Sequence, residues 1–359
     1  MSLQITTKLV KESRINSFDF NNIVFGRVFT DHNFICDYSN GEWKNPRIEP
    51  FGKISLSPSL SALHYGQSIF EGMKAFKSTE GEVALFRPLE NHKRMNHSAK
   101  RMCMPQIPEE IFIGGLQKLL ELDHNWIPSK KGAALYIRPF MFATDDFLGV
   151  KQSDTYTFII YACPVDSYYS NHLKVKIEEH YTRAAAGGVG AAKCAGNYAA
   201  SMYPTKLAQE AGYNQVLWTD GIEHKYLEET GTSNVFILCG KKVYTPSLTD
   251  TLLAGITRNS VITLLKDQGF EVVEKQISID ELTAWHESGE LTEMFVTGTA
   301  ATITNIELFG LKGKDYKLNM SKELVSLKMK AILNDIRSLN APDTFNWMLK
   351  VPVDSLQEA

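Results

Sequence analysis

A single lysine interrupts a run of small residues, GGVGAAKCAGNYAAS, at positions 187–201. Nothing bulky flanks Lys193 until Tyr198, whereas surface lysines usually have polar neighbours. Small side chains leave space around an amine, and a partly desolvated lysine has a lowered pKa and reacts readily with aldehydes. A Gly/Ala loop that points its lysine to water is the other interpretation.

Two phosphate-binding motifs do not match this stretch. A P-loop requires Gly-Lys-Ser/Thr, but Lys193 lies between Ala192 and Cys194. A dinucleotide fingerprint requires a third glycine where Lys193 stands, after Gly188 and Gly190.

The composition is that of an ordinary globular chain. The 359 residues suffice for two domains, with 43% hydrophobic and 22% charged residues. A net charge of -3 gives no electrostatic reason to expect nucleic acid or an anionic membrane as a partner. Five cysteines without a CxxC pair argue against disulfides and a metal site, and the start of the chain contains no signal or anchor pattern. We expect a cytoplasmic protein.

The first half of the sequence predicts an α+β domain. MKAFKS and VALFRP flank the turn TEGE and predict a β-hairpin, after which Pro88 opens a helix. Two strands are predicted within 132–145 and 155–165, and i, i+2 spacing places Tyr136 and Arg138 on one face of the first. We place a smaller domain at 1–166, a linker at 167–181 and a larger domain at 182–359.

The second half predicts a strand-rich core edged by helices. Asn197 is expected to cap a helix that continues through Pro204. Asp220-Gly221 lies between two strand patterns and predicts a hairpin, and NVFILCG with KKVYTP predicts another. GITRNSVITLLKDQG predicts an amphipathic helix, followed by a strand, a helix and a strand up to about residue 304.

Several residues of the second half are candidates for chemistry. Glu228 and Glu229 end a predicted strand, and alternation puts them on opposite faces, so one can face solvent while the other is buried. A buried carboxylate needs a cationic partner, and a protonated pyridine nitrogen would serve; two solvated glutamates are the alternative.

Potential anion-binding groups lie in three other places. The GITR turn at 255–258 offers N–H groups at a helix start, TGTAA at 297–301 offers hydroxyls, and Arg87 offers a charged clamp. Each of these groups, taken alone, is also common in turns that bind no ligand. Together with Lys193 and Glu229 they are the groups that pyridoxal 5'-phosphate requires.

The sequence resembles the branched-chain amino acid aminotransferases, which share a class with D-amino acid aminotransferases and aminodeoxychorismate lyases. The likeness runs through FEGMKAF, LFRP, LYIRP, GGVGAAKCAGNY, QVLW, EETGTSNVF, GITR and VTGTAA. The signature of the class is filled in register by Glu229, Gly231, Asn234, Val235, Phe236, Thr245, Leu253, Gly255, Ile256 and Arg258.

The resemblance implies roles around pyridoxal 5'-phosphate. Lys193 bonds the cofactor and moves the substrate proton, Tyr198 contacts the ring hydroxyl, and Glu229 keeps the ring nitrogen protonated. The phosphate is held by Arg87, Thr299 and the N–H groups of Ile256 and Thr257. Arg183 matches a family arginine to which no role is assigned.

The resemblance also implies a substrate pocket. Tyr65, Phe70 and Tyr136 match its aromatic walls, and Tyr136 with the backbone of Ala300 and Ala301 is expected to meet the α-carboxylate. Arg138 matches the arginine that binds the second carboxylate of glutamate. In the family Tyr65 enters from a neighbouring subunit, which implies a homodimer.

The implied fold is the two-domain α/β (α+β) fold of the fold-type IV pyridoxal enzymes, similar to D-amino acid aminotransferase. The implied reaction is ping-pong transamination between Leu, Ile or Val and 2-oxoglutarate. A lyase similar to aminodeoxychorismate lyase, or a D-amino acid aminotransferase, would share Lys193 and Glu229 and is the alternative.

Overall fold

The chain divides into two compact units. The computed structural model describes residues 3–166, 172–320 and 323–353. Unit 1 comprises Met1–Tyr168, Lys193–Ala195 and Asn334–Ala359, and unit 2 comprises Tyr169–Ala192 and Gly196–Leu333. The contacts of Lys193 therefore group it with unit 1, although both flanking segments belong to unit 2.

The described residues form eighteen strands. In chain order they are Thr6–Thr7 (β1), His32–Ser39 (β2), Glu42–Pro50 (β3), Ser68–Phe70 (β4), Met73–Lys77 (β5), Val83–Phe86 (β6), Ala134–Ala143 (β7), Tyr156–Val165 (β8), Leu173–Ile177 (β9), Gln215–Thr219 (β10), Leu227–Thr230 (β11), Asn234–Cys239 (β12), Lys242–Pro246 (β13), Glu271–Lys275 (β14), Leu291–Gly298 (β15), Thr302–Leu311 (β16), Lys314–Lys317 (β17) and Met348–Val351 (β18).

Seven α-helices accompany them. They are Ser61–Tyr65 (α1), Pro88–Arg101 (α2), Glu109–Asp123 (α3), Ala195–Glu210 (α4), Ile256–Asp267 (α5), Ile279–Ser288 (α6) and Val325–Arg337 (α7). Two short 3-10 helices cover Arg14–Ser17 and His124–Trp126.

Unit 1 is built on one sheet, in the order β1-β3-β2-β8-β7-β5-β6-β18, with β4 also paired to β7. The predicted hairpin is confirmed, because β5 and β6 pair antiparallel from Ala75–Leu85 to Lys77–Val83. Pro88 occupies the first turn of α2, as predicted, where its missing N–H is not needed. Helix α3 packs on β2, β3 and β8 and covers the apolar core of this sheet.

Unit 2 is built on a second sheet, in the order β11-β10-β9-β16-β15-β12-β13-β14, with β17 paired to β16. Strand β11 also pairs with β12, so the strand path from β11 to β12 closes on itself. Apolar side chains of these strands form the core, including Val175, Val235, Val296 and Ile306. Strand β9 lies within the predicted linker at 167–181. Residues 167–171 of that linker lie outside the described residues.

Two local predictions in unit 2 are corrected. Helix α4 begins at Ala195, so Asn197 lies inside its first turn rather than at its cap. The β10–β11 hairpin forms, but β11 starts only at Leu227, because the Asp220 carboxylate accepts hydrogen bonds from four N–H groups of the connecting loop, at Ile222, Glu223, Lys225 and Tyr226. A short polar side chain that caps its own loop delays the return strand.

Candidate active site

Main-chain contacts within unit 1 fix Lys193. The Lys193 carbonyl accepts from the Phe70 N–H at 3.0 Å, and its N–H donates to Ser98 Oγ at 2.9 Å. The next residue, Cys194, forms an isolated bridge with Ile69 and is 1% exposed. The lysine is thus held on both sides by strand β4 and helix α2, which differs from a loop lysine that points freely to water.

The amine of Lys193 faces an aromatic ring. Its Nζ lies 4.6 Å from the centroid of the Phe70 ring. The face of an aromatic ring attracts a cation, so this contact favours the observed position of the amine.

A buried ion pair that the sequence analysis did not identify lies near this lysine. Glu71 is fully buried and accepts from Arg94 at 2.7 and 2.9 Å and from Asn91 at 2.7 Å. Burial raises the pKa of Glu71, but the charges of Arg94 and Lys193 and the hydrogen bonds outweigh it, so the pKa lies below its usual range. Glu71 is therefore an anion next to the amine, and the signal for it was a lone acid in the apolar stretch FEGMKAF.

Tyr136 and Arg138 lie on one face of β7, as the strand alternation predicts, and Phe70 of β4 lies beside Arg138. Arg138 donates to the Tyr136 hydroxyl at 2.9 Å, and its guanidinium carbon lies 4.5 Å from the Phe70 ring centroid. The Tyr136 hydroxyl packs so closely on Gly72 that a Cβ there would lie 2.3 Å from the phenol oxygen. Only glycine at position 72 allows this arrangement of two aromatic rings and one cation.

Arg87 stands at the start of α2 in the left-handed region, with φ 51. Its N–H donates to the Trp347 carbonyl at 2.7 Å, and its guanidinium carbon lies 5.4 Å from the Trp347 ring centroid. Burial lowers the pKa of Arg87, partly offset by Glu90. The segment that leads into strand β18 thus fixes both the backbone and the side chain of this arginine.

Glu228 and Glu229 are both buried, at 5% exposure each, so neither of them faces solvent, contrary to the expectation for one of the pair and to the alternative of two solvated glutamates. Arg183 pairs with Glu229 at 2.8 Å, and Asn234 donates to the other oxygen of Glu229 at 3.0 Å. The charge of Arg183 compensates the cost of burying the carboxylate and favours its ionised form. Sequence alternation did not find this partner, because Arg183 is 46 positions from Glu229 along the chain.

Arg183 also supports the loop that leads to Lys193. Its guanidinium donates to the carbonyl oxygens of Gly190 and Thr251. Asn197 holds the same loop from the other end, donating to the carbonyls of Val189 and Ala192 at 2.9 Å. These two hydrogen bonds explain why Asn197 is buried inside α4. Tyr198 is the next residue of the same helical turn.

Helix α5 presents an N-terminus without a side-chain cap. Its N-cap is Gly255, and among the described residues no acceptor takes the N–H groups of Ile256 and Thr257. A Cβ at position 255 would lie 2.0 Å from Asn234 Oδ1, so glycine is required there. The helix start combines open N–H groups with the positive end of the helix dipole, which suits an anion.

The remaining predicted residues lie at two places. Tyr65 ends α1 and is 44% exposed. Thr299, Ala300 and Ala301 form the connection between β15 and β16, and the Ala301 side chain is buried. Tyr65 belongs to unit 1, whereas Thr299, Ala300 and Ala301 belong to unit 2.

Comparison with known proteins shows the family. The model of "Amino-transferase class IV" matches residues 68–309. Branched-chain-amino-acid transaminase 1 of Bacillus subtilis (strain 168) is 44% identical over 339 residues, 93% of this chain and 95% of that protein.

Solved structures give the same result. A branched-chain amino acid aminotransferase from T.th., complexed with N-(5'-phosphopyridoxyl)-L-glutamate, has a TM-score of 0.72 at 26% identity and covers 88% of this chain and 98% of that one. The Escherichia coli enzyme of that name has a TM-score of 0.73 at 25% identity, with 90% and 99% covered. The chain belongs to the class IV aminotransferases, and within them to the branched-chain amino acid aminotransferases. The predicted family and fold-type IV class are confirmed.

Two further findings concern the part of the chain that the structure describes. There, no three or more His, Cys, Asp and Glu side chains are grouped in a way that could hold a metal ion. No helix in it has the length and hydropathy to cross a bilayer.

Proposed function

We propose that this chain is a pyridoxal 5'-phosphate-dependent transaminase that exchanges the amino group between Leu, Ile or Val and 2-oxoglutarate, giving the branched 2-oxo acids and L-glutamate. The observation that carries the proposal is the position of Lys193, whose main chain is hydrogen-bonded to Phe70 and whose amine lies over the Phe70 ring. The lysine lies within residues 68–309, which match the class IV family. The glutamate adduct of the phosphopyridoxyl group in the solved T.th. relative supports the choice of cofactor and of one substrate.

The residues fit the needs of the cofactor. When bound, pyridoxal 5'-phosphate takes up the electrons released at the substrate Cα and carries the amino group between the two half-reactions. Lys193 would supply the amine that holds the cofactor and, once the substrate amine has displaced it, would serve as the base that takes the proton from Cα and returns it to the cofactor carbon that carries the nitrogen. The Phe70 ring contacts the amine, and the charge of Glu71 interacts with it electrostatically.

Glu229 acts on the ring nitrogen. The charge of Arg183 favours the ionised carboxylate, which would accept a hydrogen bond from the protonated nitrogen and stabilise its positive charge. Tyr198 donates to or accepts from the ring hydroxyl. Arg183 is thus assigned a positioning role through Glu229 and the loop at Gly190.

Four residues bind the phosphate. The N–H groups of Ile256 and Thr257 point along the α5 dipole, Thr299 adds a hydroxyl, and Arg87 adds a full charge. The left-handed backbone of Arg87 is stabilised by its hydrogen bond to the Trp347 carbonyl, so the clamp is set before the phosphate arrives.

The substrate pocket must accept both an aliphatic side chain and a carboxylate. Phe70, Tyr136 and Tyr65 supply apolar walls, while the α-carboxylate meets Tyr136 and the backbone of Ala300 and Ala301. Arg138 binds the second carboxylate of glutamate and rests on the Phe70 ring and the Tyr136 hydroxyl when the substrate is aliphatic. An arginine beside apolar walls suits a pocket that must take both kinds of side chain.

The assembly is proposed to be a homodimer in which Tyr65 serves the neighbouring subunit. Its 44% exposure in the single chain supports this, since a substrate-contacting aromatic ring needs cover. The domains are proposed as 1–166 for the substrate side chain and 182–359 for the cofactor.

A coupled assay with leucine and 2-oxoglutarate tests the function. The parent protein should form glutamate, and Lys193→Ala should abolish both this activity and the visible absorbance that borohydride removes. Lys206→Ala, on the exposed part of α4, is the matched control and should retain both. Absence of glutamate formation by the parent, or a trapped pyridoxyl group on another lysine, would contradict the proposal.

A further inference from the structure

We propose that unit 2 contains a second binding site, a cavity beside Glu228 that takes a small organic cation with a primary ammonium group. Glu228 and Glu229 alternate along β11, so their side chains leave opposite faces of the strand. The cavity beside Glu228 is distinct from the groups assigned to the cofactor, and the inference does not depend on the proposed function.

The cavity is about 300 Å³ in volume and its charged lining is acidic. The charged side chains in its wall are Asp220, Glu223, Glu228 and Asp250, and no Lys, Arg or His of the described residues lines it. A volume of this size suits a small molecule, and the sign of the charge selects a cation.

Glu228 is the group that lacks a partner. It is 5% exposed; Oε1 accepts from Thr251 at 2.6 Å, and Oε2 has no hydrogen-bond partner among the described residues. A buried carboxylate oxygen without a donor is costly and is rare in native proteins. A ligand that donates N–H groups would remove this cost.

The other acids of the wall already accept hydrogen bonds or face water. Asp220 accepts from four N–H groups of its own loop, and Asp250 accepts from the Gly187 N–H at 2.6 Å. Glu223 is exposed. They contribute negative potential at the cavity, whereas Glu228 supplies the direct contact.

The walls determine the rest of the ligand. Leu227, Leu252 and Ala185 line the cavity, so an aliphatic body fits beside the charged end. The four acids repel a carboxylate, which disfavours amino acids with a free α-carboxylate. The described residues hold no cluster suited to a metal ion, which favours an ammonium group over a divalent cation.

Protonation of Glu228 should govern binding. Burial raises the pKa of Glu228 to about 7, helped by the charges of Glu229 and Asp220 and opposed by the Thr251 hydrogen bond and the charge of Arg183. Below that pH the carboxyl is neutral and attracts an ammonium weakly. Affinity should therefore rise as the pH increases from about 6 to about 8.

The test is calorimetric titration of the holoenzyme with tert-butylammonium chloride, whose branched carbon hinders reaction with the cofactor aldehyde. We expect one saturable site, weakened about ten- to hundredfold by Glu228→Gln, as for a lost charge-assisted hydrogen bond. Glu223→Gln, an exposed acid of the same wall, is the matched control and should change the affinity less than about threefold. The neutral isostere tert-butanol should bind more weakly than the cation by a similar factor.

A blocking variant and a pH series complete the test. Ala185→Phe should block the cavity without changing its charge and abolish binding, even if Glu228→Gln folds poorly. The parent affinity should rise with pH through neutrality, and that of Glu228→Gln should not. Absence of binding by the parent, equal binding by Glu228→Gln, or a heat that accompanies a change in the visible absorbance of the cofactor would overturn the inference.

Discussion

Glu228 and Glu229 show how much the immediate partner decides the role of a buried carboxylate. Both are 5% exposed, but Glu229 pairs with Arg183, whereas the Thr251 hydroxyl is the one hydrogen-bond donor to Glu228 within the described part of the chain. The charge of Arg183 favours the ionised form of Glu229, whereas burial raises the pKa of Glu228 to about 7. The same residue type on opposite faces of β11 thus supplies a fixed charge and a variable one.

The fixed charge leads to the first mutational prediction. Glu229→Gln keeps the size of the side chain but cannot stabilise a protonated ring nitrogen by charge, so turnover should fall about 10²–10⁴-fold. Glu228→Gln, the same change at the neighbouring position, is the matched control, and its turnover should fall much less. Steady-state kcat for both variants is the measurement, and equal losses would place the wrong glutamate at the ring.

Arg138 is expected to discriminate between substrates. Arg138→Ala should reduce kcat/KM for glutamate about ten- to hundredfold more than for leucine, because only glutamate carries the second carboxylate. Arg138→Lys retains the positive charge without the planar fork and should recover part of the glutamate activity. Proportional losses for both substrates would show that Arg138 acts only through its contacts with Phe70 and Tyr136.

The sequence predicts residues well where the signal is local. The side of β7 that carries Tyr136 and Arg138 follows from alternation, and their hydrogen bond confirms it. Sequence alternation failed at Glu228, because its burial depends on Thr251 and the loop at Asp250, which are distant along the chain. Glu71 was missed for the same reason, since Arg94 and Asn91 reach it from α2.

At the scale of elements, helix α6 has the strongest local definition. Ser278 and Glu281 form a capping box, in which each side chain accepts from the backbone N–H of the other. The predicted order of strand, helix and strand is confirmed, but the last strand ends at Gly298 instead of about residue 304, because the chain turns there into β16. Helix α4 shows the limit, because Asn197 has the composition of a cap but is used to hold the preceding loop.

The capping box gives a stability prediction. Ser278→Ala should lower the free energy of unfolding by about 1 kcal/mol, since the Glu281 N–H loses its acceptor at the helix start. Ser288→Ala, at the last residue of the same helix, is the matched control and should cost at most about 0.5 kcal/mol. Denaturant unfolding at neutral pH measures both, and similar losses would contradict the assigned cap.

At the scale of the molecule, the sheet of unit 1 depends on a distant strand. Strand β18 pairs with β6 from Met348–Phe86 to Val351–Val83, and the adjacent Trp347 contacts Arg87. A chain that stops after Thr344 should melt well below the parent and lose affinity for the cofactor phosphate, because the β6 edge and Arg87 are both uncovered. Trp347→Ala, which retains the strand, should cost about 3–5 kcal/mol.

Thermal unfolding and limited proteolysis check this prediction. Cleavage of the truncated chain should begin within the sheet of unit 1, near β6. A truncated protein that melts within a few degrees of the parent, with unchanged cofactor affinity, would show that β18 is dispensable.

The same pairing sets an order of events during synthesis. Lys350 donates to Glu82, 268 positions earlier. At roughly 5–20 residues per second a ribosome needs on the order of 15–50 s to add that many residues. For that time the β6 edge of the β5–β6 hairpin stays open. An open strand edge is the kind of surface that chaperones protect and that neighbouring nascent chains on a polysome can pair with.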